Sequence, residues 1–304
     1  MTNRKNDEML EECRLCPREC RVNRNQGQLG YCKTSARVKA ARGALHMWEE
    51  PCISGKEGSG AVFFSGCSLG CVYCQNKEIS DGSAGKEITV ERLAEVFLEL
   101  QKQGANNINL VTAGHFVPQV CQALILSKEQ GLHIPIVYNS SGYEKVDTLR
   151  LLEGLVDIYL PDLKYLDAVL ADRYSHAADY PVSAMSAIAE MVRQQPKPVF
   201  DDRGMMTKGV IVRHMLIPGH VKEACHVAEY LYNTYGNKIY ISMMSQYTPM
   251  RMDFQDENLN RKVTRREYQR LIAYVCDLGI TQGFWQEGKT AEESFVPAFD
   301  GQGI

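Results

Sequence analysis

Ala61-Val-Phe-Phe-Ser65-Gly66-Cys67-Ser-Leu-Gly-Cys71-Val-Tyr-Cys74 is an apolar run that breaks at Ser-Gly and passes at once into three closely spaced cysteines. A short apolar run bounded by such a dipeptide predicts a buried strand followed by a loop. Thiols spaced C-x3-C-x2-C can hold three irons of a four-iron cubane and leave the fourth open, whereas iron–sulfur clusters are ordinarily closed by four Cys thiolates. The i, i+4, i+7 spacing would equally fit one face of a helix carrying a buried cysteine stripe. Gly66 and Gly70 oppose that reading, since each costs roughly 1 kcal/mol in a helix interior. In a loop the same glycines give the backbone the freedom to bring three thiolates together. A tetrahedral zinc site is a further competitor, and would need a fourth ligand from elsewhere.

Outward from this segment, short β-rich runs alternate with helical patterns. Candidate strands are Ala61–Ser65, Asn107–Thr112, Pro135–Asn139, Val156–Leu160, Gly209–Leu216 and Lys238–Met243. Helix-like stretches lie at Thr89–Gln103, Val117–Gln130, Val146–Glu153, Pro181–Gln195, Val221–Tyr235 and Thr264–Leu278, with Gly104, Gly131, Gly236 and Gly279 where several should stop. The alternation predicts parallel strands joined by right-handed crossovers. Six units fit an α/β fold of the partial (β/α)6 TIM-barrel type, with a doubly wound sheet as the alternative. In either case chemistry belongs at the C-terminal ends of the strands.

Composition narrows the function. The chain has 304 residues, 44% hydrophobic and 23% charged, which is ordinary for a globular protein. A net charge of −3 and a pI near 6.2 give no basic footprint for nucleic acid. No window approaches the roughly 18 apolar residues that span a bilayer, and the first residues have no apolar core, so a cytoplasmic location is expected. In that reducing compartment eleven cysteines are too many to explain as disulfides. Cys52, Cys121, Cys225 and Cys276 stand alone and read as small hydrophobes.

Residues 1–50 are polar, without sustained apolar periodicity, and are read as a cysteine-rich N-terminal extension to a barrel domain at 51–304. Cys13, Cys16, Cys20 and Cys32 predict a second metal site in that extension. Zinc held by four thiolates and an auxiliary iron–sulfur cluster both suit the spacing.

Phe64-Ser-Gly-Cys67-x3-Cys71-Val-Tyr-Cys74-Gln-Asn76 resembles the signature of the radical S-adenosylmethionine (SAM) enzymes. The resemblance is greatest to proteins related to the pyruvate formate-lyase activating enzyme. It extends through Asn107–Thr112, Val137-Tyr-Asn-Ser-Ser-Gly-Tyr143, Asp157-Ile-Tyr-Leu-Pro-Asp162-Leu-Lys164, Arg213-x4-Pro218-Gly219 and Met244-Ser-Gln-Tyr-Thr-Pro249, to Phe295-Val-Pro-Ala-Phe-Asp300. It implies a [4Fe–4S] cluster on Cys67, Cys71 and Cys74. SAM would chelate the open iron, and its one-electron cleavage would give a 5′-deoxyadenosyl radical that abstracts a hydrogen atom from a substrate. By the same resemblance Tyr73 lies near the adenine and Asn76 contacts SAM. Gly114 and His115 stand where relatives grip the SAM amino group, Asn139 meets the ribose, Asp162 and Lys164 flank the cofactor, and Gln246 lies near a further contact. The substrate implied is a glycyl-radical enzyme, with a peptide or small molecule as the alternative. The electron donor would be a flavodoxin or ferredoxin. An iron–sulfur electron carrier or metal-stabilised interaction module is the competing class. His115, His214 and His220 follow or end strand-like runs and are expected near the catalytic face. Pro218-Gly219-His220 reads either as an anion site at a helix start or as a tight turn.

Overall fold

The computed structural model describes residues 8–285 and 297–304. The first seven residues, and Phe295 and Val296 of the C-terminal motif, lie outside the described residues. Ten strands are present among the described residues: β1 (Val38–His46), β2 (Ser59–Phe64), β3 (Lys86–Ile88), β4 (Ile108–Val111), β5 (Ile136–Ser140), β6 (Ile158–Pro161), β7 (Val199–Phe200), β8 (Met206–Met215), β9 (Tyr240–Met244) and β10 (Gly283–Trp285). They form one sheet in the order β10-β9-β8-β6-β5-β4-β2-β1-β3, with β7 paired to β8. From β2 to β10 along this order the strands run parallel. β1 and β3 extend one edge antiparallel. The sheet does not close, so the architecture is a partial barrel.

All six expected strands occur. β5 and β6 show why a buried parallel sheet reads as continuous apolar sequence. Val137, Ile158, Leu160 and Ile211 point inward, where they meet Cys52 and Ile53 of the short helix Pro51–Ser54 and Met206. Tyr138, Tyr159, Val210 and Val212 point outward into the layer of helices. The short helix thereby plugs the N-terminal end of the barrel. Outside, the helix Val90–Lys102 buries Leu93, Ala94, Val96, Phe97 and Leu100 against the sheet. Its Thr89 accepts a hydrogen bond from the Arg92 N–H, the cap that the sequence predicts.

Several elements are additions to the sequence reading, among them β3, β7 and the three that follow. Residues 38–46, grouped there with the cysteine-rich segment, form β1 of the main sheet. Ala40, Ala41, Gly43 and Ala44 are small, so the strand has no marked apolar alternation, and its packing depends on β2. The helix Ala168–Ser175 starts at Asp167, whose side chain accepts from the Val169 and Leu170 N–H groups. β10 is only three residues long.

Register sets the rim. Phe63 pairs with Val111, and Val111 with Asn139, so β2, β4 and β5 end at one level. Arg213 of β8 bridges to Asp162 just past β6 and pairs with Ser242 of β9. The loops that leave these ends therefore face a common space.

The loop after β8 is tied to the last long helix, Arg265–Asp277. Thr264 and Glu267 form a reciprocal capping box. Glu267 also receives the Arg261 guanidinium in two bonds of 2.8 Å and the Gly219 N–H at 2.7 Å. Gly219 thus belongs to a tight turn whose N–H is already committed. Arg261 and these N–H groups hold the Glu267 carboxyl well below the ordinary carboxylate range. A carboxylate with a depressed folded-state pKa stabilises fully above its unfolded pKa and loses that contribution as pH falls through the folded one. Glu267→Gln is therefore expected to be less stable than wild type at pH 7 in urea unfolding. The gap should narrow progressively below about pH 4.5; a gap independent of pH would refute the assignment.

Candidate active site

The loop that follows β2 turns at Gly66, which has φ +90°. A Cβ here would lie 2.4 Å from the Cys32 carbonyl oxygen and 2.5 Å from Thr34, so glycine permits both the turn and the approach of the N-terminal segment. Beyond it, the Leu69 and Gly70 N–H groups point at the Cys67 sulfur, each at 3.4 Å. Ser175, at the end of the helix Ala168–Ser175, donates its hydroxyl to the Cys71 sulfur at 3.1 Å. The same hydroxyl lies 3.0 Å from that of Tyr165, which lies 2.6 Å from that of Tyr73. Burial, and after it the neighbouring Cys74 and Cys71, push the Cys67 thiol up to about 12. Holding Cys67 and Cys71 as thiolates against this burial calls for a cation beside them. N–H and O–H donors aimed at two of the sulfurs suit thiolates bound to iron.

Cys67, Cys71 and Cys74 line a cavity of about 300 Å³ at the strand ends. That volume lies at the lower end of the roughly 300–1,000 Å³ typical of small-molecule sites. Opposite the cysteines stands a buried charge network. Arg213 donates through Nε to Asp162 Oδ1 (3.0 Å), and through its two terminal nitrogens to Glu49 Oε2 (3.1 Å) and Asn139 Oδ1 (2.6 Å). Lys164 donates to Asp162 Oδ2 at 2.6 Å. Asn109 and Asn139 donate to the other Glu49 oxygen. Burial alone would raise the Asp162 pKa, but Lys164 and Arg213 outweigh it and hold the carboxylate ionised. Burial likewise opposes the charge of Lys164, and Asp162 and Cys71 overcome it. For Glu49 burial wins over Arg213, and its carboxyl is raised.

The site residues expected from the sequence divide into two groups. Tyr73, Asn76, Asn139, Asp162, Lys164 and Gln246 all line this cavity with the three cysteines. Gly114 and His115 stand behind its wall. The His115 ring bonds the Ser65 carbonyl at 2.8 Å, and burial lowers its pKa to about 3. A Cβ on Gly114 would fall 2.6 Å from both carboxyl oxygens of Glu144. His214 is buried with Nδ1 on the Leu163 carbonyl, and His220 bonds the Tyr174 hydroxyl. The turn at Gly219 and His220 lines a separate concavity of about 720 Å³ that contains no cysteine.

The sequence reading missed Glu49, the role of Arg213, Ser175 and Arg18. Arg18 sits inside the N-terminal cysteine run and grips the loop that carries Cys67 and Cys71. It donates to the carbonyls of Ser68 (3.0 Å), Leu69 (3.1 Å), Ser175 (3.0 Å) and His176, with its guanidinium 3.9 Å above the Tyr31 ring. An arginine between two cysteines of a metal-type motif was the one available signal. Among the described residues no three His, Cys, Asp or Glu side chains converge on a single point. This is as true of Cys67, Cys71 and Cys74 as of the N-terminal cysteines.

The radical SAM superfamily model matches residues 61–230, more than half of the chain. The chain belongs to the radical SAM superfamily, whose members are enzymes that use a [4Fe–4S] cluster and SAM. It is 25% identical over 273 residues to an uncharacterised protein of Methanocaldococcus jannaschii, covering 87% of this chain and 74% of that one. It is 33% identical over 111 residues to the pyruvate formate-lyase-activating enzyme of Clostridium pasteurianum, which covers 35% of this chain and 45% of that enzyme. Its fold is similar to that of Streptococcus suis SuiB, solved bound to S-adenosylmethionine, with a TM-score of 0.50 and 13% identity over 74% of this chain and 49% of SuiB. The chain thus spans less than half of the activating enzyme and of SuiB. No described helix is long and apolar enough to cross a membrane.

The charge network yields a direct test. Removing one partner of a buried ion pair leaves uncompensated charge and costs about 3–5 kcal/mol. Arg213→Met should lose that much in urea unfolding. Arg213→Lys should recover only part, since an ammonium cannot span Asp162, Glu49 and Asn139 together. A loss below about 1 kcal/mol for the Met variant would mean that the network does not hold the rim.

Proposed function

We propose that this enzyme binds its [4Fe–4S] cluster through Cys67, Cys71 and Cys74, and holds SAM in the adjoining cavity. The observation that carries this reading is the placement of the three thiols and six polar or aromatic strand-end side chains around one cavity. When bound, cluster and SAM supply a 5′-deoxyadenosyl radical, with the electron coming from a flavodoxin or ferredoxin. Asp162, Lys164 and Asn139 offer a carboxylate, an ammonium and an amide, the groups needed to orient a cofactor that carries an amino acid and a ribose. Tyr73, fixed through its hydroxyl to Tyr165, presents a ring that suits an adenine. The buried, hydrogen-bonded wall of Tyr73, Tyr165 and Ser175 behind these groups suits a site that must keep water from a reactive species.

The rim speaks for a polypeptide substrate. Trp48 and Met250 line the cavity and are more than half exposed, and Met47 and Met252 lie exposed close by in sequence. Flexible methionines and an aromatic ring suit an extended chain with varied side chains better than a small charged metabolite. The similarity to a pyruvate formate-lyase-activating enzyme makes a glycine of a glycyl-radical enzyme the first substrate to try, with a modified peptide as the alternative.

After anaerobic reconstitution, wild type with SAM and a one-electron reductant should release 5′-deoxyadenosine and methionine, and Cys71→Ala should release neither. Cluster-loaded wild type that leaves SAM intact would refute the assignment. Ser175→Ala removes a donor to the Cys71 sulfur, so the cluster's midpoint potential should become more negative. A potentiometric titration monitored by EPR reads this without any substrate, and an unchanged potential would remove Ser175 from the cluster environment.

A further inference from the structure

Arg24 is 1% exposed, and its guanidinium lies wholly inside the protein. It donates to the carbonyls of Ser35 (3.2 and 2.7 Å) and His115 (2.6 Å) and to the Thr34 hydroxyl (3.1 Å). The guanidinium also lies 5.5 Å from the centre of the Phe116 ring, and its Nη1 is 3.8 Å from the Cys13 sulfur. Among the described residues no carboxylate pairs with it. Carbonyl oxygens solvate a guanidinium but do not neutralise it, and a buried charge without a counter-charge costs several kcal/mol. The question is what anion Arg24 faces.

Its neighbours are thiols. Cys13 touches it directly. Cys32 reaches it through Thr34, whose hydroxyl lies 3.2 Å from the Cys32 sulfur and accepts from Arg24. Cys16 lies in the turn that leads to Cys20, where its carbonyl accepts the Glu19 N–H at 3.1 Å and the Cys13 carbonyl accepts the Arg21 N–H at 2.9 Å. Cys20 completes the group, its sulfur accepting the N–H of Tyr31, the residue beside Cys32. The chain turns sharply around these residues: Glu19, Arg21 and Lys33, none of them glycine, adopt positive φ on either side of Cys20 and after Cys32.

We propose that Cys13, Cys16, Cys20 and Cys32 bind a thiolate-ligated metal centre whose negative charge is balanced by the buried guanidinium of Arg24. Four thiolates outweigh the charge of a divalent zinc ion and of an oxidised four-iron cluster alike, so either centre is the anion that Arg24 lacks. The Arg18 clamp joins the segment to the loop of Cys67, Cys71 and Cys74. The inference does not depend on SAM chemistry. It concerns cysteines outside the catalytic cavity.

The test uses the full chain with Cys67, Cys71 and Cys74 changed to Ala, isolated without oxygen and analysed for metal and acid-labile sulfide. Zinc without sulfide, or iron with equal sulfide, either of them lost when Cys13→Ala and Cys16→Ala are added, is the expected result and identifies the centre. Metal content no higher than that of the variant lacking all seven cysteines would overturn the proposal. Because these variants can fail to fold, chelator competition on chains with the catalytic triplet intact provides a second measurement. There Arg24→Met should weaken retention of the second centre by about 10–100-fold, the usual loss for a supporting residue. Arg24→Lys should retain more. Equal retention by wild type, Met and Lys variants would remove Arg24 from the site.

Discussion

The cavity depends on one guanidinium. An unclosed sheet has no last hydrogen-bonded seam to fix the spacing of its strand ends, and here Arg213 supplies the missing restraint. It rises from β8 and bonds the carboxylates at the end of β6 and in the segment after β1, together with the amide at the end of β5. Remove that planar fork, and two carboxylates are left buried with Lys164 as their nearest cation. Its geometry therefore sets how far the strand ends can spread, and with it the width of the space facing Cys67, Cys71 and Cys74.

Charge in the molecule follows the same logic at two places. Around Arg213 and Lys164 the carboxylates of Asp162 and Glu49 are visible as partners. Around Arg24 none is visible among the described residues, and its neighbours are a sulfur, a hydroxyl, carbonyl oxygens and the Phe116 ring. Arg24 is fully buried, whereas Arg213 keeps 14% of its side chain exposed at the cavity that the cysteines also line. The contrast between a compensated and an uncompensated cation distinguishes the wall of the strand-end cavity from the N-terminal cysteine segment.

Much of the framework was legible in the sequence because it is local. Thr89 and Thr264 announced helix starts, Gly104 and Gly131 their ends, and the apolar run before Cys67 its strand. Tyr73, Asn76, Asn139, Asp162, Lys164 and Gln246 came from the family resemblance, and the strand register brings them to one cavity. What stayed hidden is tertiary. Glu49 lies 164 residues from Arg213 along the chain, and no local pattern marks either as a partner of the other. β1 escaped because Ala40, Ala41, Gly43 and Ala44 are too small to show a period. His115 was expected in the cofactor site from its place in the chain. The structure turns its ring back onto Ser65, where the buried carbonyl needs a donor.

Arg18 holds the loop of Ser68 and Leu69, and the end of the helix at Ser175 and His176, by main-chain oxygens alone. A grip of that kind reads where the chain is and is indifferent to which side chains it carries. Residues on the loop's outer side can thus change, to meet a different partner or a different substrate, without loosening the hold on the cysteines. Tolerance of drift on the outer face of the loop and fixity of the cysteines behind it come from the same four bonds.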